Sequence, residues 1–296
     1  MMNFKFGEKI KKSEDVGIYT WTADETTECP SITSGERCTI IRCSPLRPSR
    51  TSLWTCLATG TFCCSNRNRS KLATFQRWNF RFDERHKEIH VHHKYSAFSK
   101  AYEASKGADG NSYGWVQIEI VESFSADLSK PENSLIEAET DVAKVKIDGE
   151  EIWLSKKVLG CHSPFFNNLF TKDFKERAED LYELKDLKLE EFIHFVAINH
   201  SVRLPIDKIS VKYLLKLADF FRCELVLHHC EEYLKSVEIE EIPLAEKLRL
   251  ANRFKLNQLI METVEKISVD ELKLVPNAEF SQFTSGLVLQ KLNMFC

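Results

Sequence analysis

The stretch from Asp141 to Phe170 constrains this chain more than any other part of it. Val145 and Ile147 alternate with Lys144 and Lys146, the period of a half-buried strand, and Asp148-Gly149 follows. That pair suits a type I′ turn, in which both central residues need positive φ. A two-residue hairpin is therefore expected, with Ile152, Trp153 and Leu154 on the return strand. Val158 and Leu159 then read as a helical turn. Ser163-Pro164 supplies an N-cap with proline at the first helical position, and Phe166, Leu169 and Phe170 fall on one side of the helix it opens. A hairpin followed by two short apolar helices is an interaction fold and carries no recognisable catalytic arrangement.

These residues resemble the opening of the BTB (POZ) domain, whose pattern is Asp-Val, a Gly turn, a His-Lys pair, Val-Leu, then Ser-x-x-Phe-x-x-x-Phe. Asp141-Val142, Gly149, Lys156, Val158-Leu159, Ser163, Phe166 and Phe170 match it, while Ser155 stands where the family usually has His. The resemblance continues through Leu184-Lys185-Asp186, the apolar helix from Phe192 to Ile198, the run from Tyr213 to Phe221, and Leu225 to Leu234 with Cys230-Glu231. It implies a homodimer with Asp141, Lys156, Val158, Leu159, Phe165 and Phe166 at the interface. Asp141 and Lys156 fall where family dimers keep a buried acid–base pair, and Lys in place of the commoner Arg forfeits bidentate geometry. The resemblance also implies that a cullin scaffold of the BTB-binding class docks on the hydrophobic-x-Glu motif after the second helix, here Phe174-Lys175-Glu176.

The N-terminal half alternates as short half-buried strands. Trp78, Phe80 and Phe82 are interleaved with Asn79 and Arg81, Ile89 and Val91 with His90 and His92, and Val116, Ile118 and Ile120 with Gln117 and Glu119. A β-sandwich is the expected outcome. By order, length and the strand Gly114 to Ile120 before a Ser-, Pro-, Asn- and Glu-rich linker, this half resembles the MATH β-sandwich that precedes BTB domains in one family of ubiquitin-ligase adaptors. The fold class expected is thus α+β: a MATH-like sandwich over residues 1–122, a linker over 123–138, an α/β BTB/POZ domain over 139–236, and a short helical, BACK-like extension over 237–296.

The extension contains an echo. Leu215-Lys-Leu-Ala-Asp-Phe-Phe-Arg-Cys and Leu248-Arg-Leu-Ala-Asn-Arg-Phe-Lys-Leu share one pattern at an offset of 33 residues, each followed by a second amphipathic helix. Two stacked helical hairpins are expected, each covering the other's apolar face. The extension reads as ending after about one such hairpin beyond the BTB region.

Charge is nearly balanced, 41 basic against 44 acidic residues, which argues against a global nucleic-acid or membrane signature. Residues 1–130 carry 19 basic and 15 acidic side chains, net +4; the remainder carries 22 and 29, net −7. No apolar run approaches the roughly 20 residues of a membrane span, and no signal-peptide core follows Met1. Cysteines on apolar helical patterns (Cys161, Cys223, Cys230) fit a reducing compartment, the cytoplasm and/or nucleus.

His90, His92 and His93 with Cys63-Cys64 lack the C-x₂-C spacing of a zinc site, so no metal and no cofactor are expected. No cysteine sits in a thiol-enzyme signature. Arg37 to Phe82 holds nine basic residues and no acid, interleaved with Trp54, Phe62, Phe75, Trp78, Phe80 and Phe82. A solvated basic face over core aromatics is the plain reading. The functional one is an acidic or phospho-rich protein segment rather than nucleic acid. Together these readings give a non-enzymatic BTB adaptor that homodimerises and brings an unknown protein substrate to a cullin-RING ubiquitin ligase, with no membrane partner. The alternative is a BTB oligomerisation scaffold or corepressor-binding protein without cullin binding.

Overall fold

The structure, a computed structural model, describes residues 2–6, 12–26, 36–171, 181–275 and 280–294. It divides into two compact units, Met1–Ser129 and Lys130–Cys296.

The first unit is a sandwich of two four-stranded antiparallel sheets. Its strands are β1 (Met2–Phe6), β2 (Lys12–Val16), β3 (Tyr19–Thr26), β4 (Glu36–Pro45), β5 (Ser52–Ser65), β6 (Leu72–Asp83), β7 (Glu88–Lys94) and β8 (Tyr113–Asp127), with one helix, α1 (Tyr95–Ala104), between β7 and β8. One sheet has the order β1-β8-β5-β6 and the other β2-β3-β4-β7. Alternation in each strand sends one set of side chains inward. Trp21, Ile41, Trp54, Phe62, Trp78, Phe82, Val91, Val116 and Ile118 meet in a single core, with Phe75, Phe80, Ile89 and Ile120 packed against it. The aromatics of the basic segment are therefore structural. Strand β8 runs on to Asp127, beyond the last apolar alternation at Ile120, because its whole length pairs with β5 from Ser65↔Tyr113 to Ser52↔Asp127.

The second unit opens with a 3₁₀ turn (Glu139–Asp141) and a hairpin of β9 (Val142–Ile147) and β10 (Glu150–Ser155). Its turn has φ of +50° at Asp148 and +81° at Gly149, the double positive φ a type I′ turn requires. Strand β11 (Leu181–Leu184) pairs parallel to β9 on the other side, giving the order β10-β9-β11. Helices α2 (Lys156–His162), α3 (Pro164–Thr171), α4 (Leu189–Asn199), α5 (Ser210–Phe221) and α6 (Glu224–Ser236) complete this part. Helices α7 (Leu244–Arg253), α8 (Asn257–Lys266), α9 (Val269–Lys273) and α10 (Gln282–Met294) follow.

The echo is real at backbone level. Arg222 closes α5 and Lys255 follows α7 in the same left-handed conformation, φ +53° and +57°. In each the next residue returns a hydrogen bond across the turn, Cys223 N–H to Ala218 O at 2.8 Å and Leu256 N–H to Ala251 O at 2.9 Å. These are the reverse-turn C-caps usually built on glycine. The extension does not stop after one hairpin: α9 and α10 add to it, and Lys291 of α10 donates to the Val264 and Glu265 carbonyls at the C-terminal end of α8, where a cation is favoured. Among the described residues no helix is long and apolar enough to cross a membrane.

Candidate interaction site

Asp141, at the end of the 3₁₀ turn, accepts a hydrogen bond from the Ser155 hydroxyl and another from the Lys157 backbone N–H at 2.6 Å. Ser155 in turn caps α2, accepting from the Val158 N–H at 3.0 Å. The serine in the family's histidine position thus works as an N-cap, and Asp141 adds a negative charge at the same helix start, where orphan N–H groups favour it. Lys156, the other half of the expected acid–base pair, is half-buried. It lines two open depressions: one of about 590 Å³ with Glu132, Ile136, Glu137 and Trp153, the other of about 480 Å³ with Asp141, Gly160, Cys161 and Asn167.

The helix pair is locked from beneath. Ser163 caps α3 by accepting from the Phe166 N–H at 3.2 Å, and its hydroxyl donates to the Phe221 carbonyl at the end of α5. Phe166 is fully buried, stacked on Phe221 with centroids 4.6 Å apart and surrounded by Phe170, Phe192 and Phe195. Leu159 is fully buried as well. Leu159 and Phe166, both expected at a dimer surface, are covered inside their own unit, Phe166 by aromatic side chains of α4 and α5 that two isolated helical turns could not supply. Of the apolar set, Val158 and Phe165 remain half-buried and accessible.

Phe165 contacts Phe220 at 5.7 Å, and Phe220 is 61% exposed. Sequence reasoning missed Phe220, although the signal was there. Helical spacing from Leu214, Leu217 and Ala218 assigns Phe221 to the core and leaves Phe220 outside it. Phe174, Lys175 and Glu176 lie outside the described residues.

Behind this surface sits His200. Its Nε2 is buried and has no hydrogen-bond partner among the described residues. Burial pushes its pKa down from 6.5 to about 4; Asp141 opposes that shift and His162 adds to it. In the unfolded chain the imidazole titrates normally, so the unfolded state binds more protons between these values. His200 thus contributes stability that is present above pH 6.5 and lost as pH falls towards 4, up to about 3 kcal/mol. Urea unfolding at pH 7 and pH 4.5 should show that loss for the wild type, and His200→Leu should reduce it. An unchanged pH dependence in the variant would reject the assignment.

In the first unit the histidines near Cys63-Cys64 in sequence take different environments. His93 is buried between Phe62 and Phe75, while His90 faces outward beside Cys38 Sγ (3.8 Å) and Glu88 (3.2 Å). Among the described residues no three His, Cys, Asp or Glu side chains gather where they could hold a metal ion. Burial pushes the Cys64 and Cys230 thiols up to about 12, so both are protonated and poor nucleophiles near neutral pH.

Residues 133–238 match the family model of the BTB/POZ domain. That region is a BTB/POZ domain. Among curated proteins, the chain is 30% identical over 150 residues to "BTB and MATH domain-containing protein 38" of Caenorhabditis elegans, covering 49% of this chain and 38% of that protein. It is 24% identical over 295 residues to "BTB and MATH domain-containing protein 36" of the same organism, covering 94% of this chain and 87% of the relative. Human "Kelch-like protein 26" is 30% identical over 90 residues, 30% of this chain and 15% of that protein. The match to this kelch-like protein is thus short, whereas a relative named for both BTB and MATH domains aligns along nearly the full chain.

Proposed function

We propose that the chain is a non-enzymatic BTB adaptor. Its BTB/POZ domain homodimerises and holds a cullin scaffold, and its β-sandwich unit presents a protein substrate to the ubiquitin ligase assembled there. One observation carries the reading: a BTB/POZ domain and a separate β-sandwich unit occupy one chain that aligns over 94% of its length with a protein named for BTB and MATH domains. Catalysis then belongs to the recruited conjugating enzyme, and the adaptor contributes proximity and effective concentration. The dimer surface is built around the half-buried Lys156, Val158 and Phe165, with Leu159 and Phe166 as the packed layer beneath them. The helices from α7 onward form a BACK-like extension.

Cullin docking rests on Phe174 and Glu176, an apolar anchor and a carboxylate in a strongly charged run, with Lys175 between them. Interface energy concentrates in a few anchors, so the Phe174→Ala, Glu176→Ala double variant should weaken binding of a cullin N-terminal fragment by about 2 kcal/mol or more. Its unfolding free energy should stay within about 0.5 kcal/mol of the parent, as for surface changes. Calorimetric titration and thermal melting check both halves. Equal affinity for variant and parent would reject this docking site. No measurable binding of the parent would favour the scaffold without a cullin. Light scattering on the full chain checks self-association, and a monomer at tens of micromolar would reject the dimer.

A further inference from the structure

The basic segment of the first unit is not uniformly available. Arg42 is neutralised by Asp24 at 2.6 Å and Glu88 at 2.8 Å, and Arg81 by Glu122 at 2.9 Å. Arg37 lies over the rings of Tyr95 and Phe98. A different group gathers where β5 turns into β6. Arg67, Arg69 and Lys71 are exposed on the connecting turn, and Arg77 is exposed on β6 itself.

Register and one ring contact place two of these cations on one face. On the side of the sheet away from the core, Arg77 stands opposite Thr61, which stands opposite Gln117 on β8. One pleat nearer the turn, Thr74, Cys63 and Trp115 lie side by side across the same three strands. The Arg69 guanidinium sits over the Trp115 ring at 4.4 Å, which brings it from the turn on to this face. Among the described residues no carboxylate pairs with Arg67, Arg69, Lys71 or Arg77. Three acids of the neighbouring described segments are otherwise placed. Asp109, in the loop packed beside Asn66, accepts from the Asn111 N–H, Glu122 is taken by Arg81, and Glu119 lies a pleat beyond Gln117.

We propose that this end of the outer face of the β1-β8-β5-β6 sheet binds an acidic, carboxylate-rich peptide segment. Charge complementarity selects the partner: Arg67, Arg69 and Lys71 on the turn and Arg77 further along β6 have no carboxylate partner among the described residues, and β6 is an edge strand of its sheet. Hydroxyl and amide groups of Thr61, Thr74 and Gln117 on the same face provide hydrogen-bonding partners for such a chain. Single-stranded nucleic acid fits less well. It needs a row of exposed rings for stacking, but Trp54, Phe62, Trp78 and Phe82 are in the core, and of the two β8 rings on this face, Tyr113 and Trp115, both half-buried, Trp115 already carries Arg69.

This surface would supply the substrate class for the adaptor reading above, but its test needs no cullin, so the two stand or fall separately. The full chain is titrated, by fluorescence anisotropy, into a labelled Glu-Ser repeat peptide, a Gln-Ser repeat of equal length and a labelled oligo-dT. The Glu-Ser peptide should bind, the Gln-Ser peptide should not, and added salt should weaken binding. Arg67→Glu with Lys71→Glu, both on an exposed turn, should lower affinity by about tenfold, whereas Lys100→Glu on the exposed side of α1 should change it less than about twofold. Arg77→Ala provides a second, milder variant, and melting curves verify that each remains folded. Indistinguishable affinity for the two peptides, unaltered binding by the folded double variant, or tighter binding of oligo-dT than of the acidic peptide would each overturn the proposal.

Discussion

Gly60→Ala is expected to destabilise the first unit strongly, by about 3 kcal/mol, the upper part of the range for overpacking a core. Gly60 lies in β5 directly opposite Trp78 of β6, and the indole lies across the strand where a side chain would stand. A Cβ at residue 60 would come within 2.1 Å of Trp78 Cε2, inside any tolerable contact. The indole cannot easily retreat, because it packs edge-on against Phe82 at 6.2 Å within the sandwich core. The glycine is thus required by a close approach rather than by a turn. Denaturant unfolding followed by tryptophan fluorescence would measure the loss, and truncating Trp78 in the Gly60→Ala background should recover part of it. A Gly60→Ala protein within about 0.5 kcal/mol of the parent would show that this packing is wrong.

Phe166→Ala should cost the second unit about 3–5 kcal/mol, the range for removing a fully buried aromatic side chain. Phe166 touches four other aromatic rings of α3, α4 and α5 besides Phe165, so truncation opens a cavity at the junction of three helices. Phe165→Ala provides the contrast. Its ring is half-buried, so its effect on a dimer should exceed its effect on the isolated fold. Urea unfolding at several protein concentrations separates the two. The Phe166 variant should be weakened at every concentration, whereas the Phe165 variant should lose stability chiefly where the parent's depends on concentration. If Phe166→Ala changed only the concentration dependence, Phe166 would belong to the interface after all.

Both predictions turn on facts the sequence states only partly. The Asp148-Gly149 turn, the Ser163-Pro164 helix start and the apolar alternation of Trp78, Phe80 and Phe82 were legible because each is local. Backbone φ at two residues, one side-chain cap, or a period of two decides them. The 33-residue echo was legible for the same reason, since both copies form the same helix, left-handed cap and second helix from the same short pattern. The BTB/POZ region could be read from motifs spread along the chain, because its framework residues are those that close the core.

Three matters needed the tertiary structure. Local spacing shows that Leu159 and Phe166 are apolar; only the arrival of α4 and α5 from residues much further along shows that they are already covered. The basic segment reads as a uniform run of nine cations. Cross-strand pairing neutralises Arg42 and Arg81 with acids remote in sequence, and leaves Arg67, Arg69 and Lys71 on the β5–β6 turn and Arg77 on β6 without a carboxylate partner among the described residues. Gly60 looks like an ordinary strand glycine until β6 places an indole across it. Local signals decided the 142–155 hairpin, the helix starts, the strands around Trp78, Val91 and Ile118, and the BTB/POZ region they help to build, because those choices rest on interactions between near neighbours. Tertiary structure decided which apolar side chains remain for a partner and which charges remain unpaired, because burial and ion pairing depend on residues that meet only after the chain has folded.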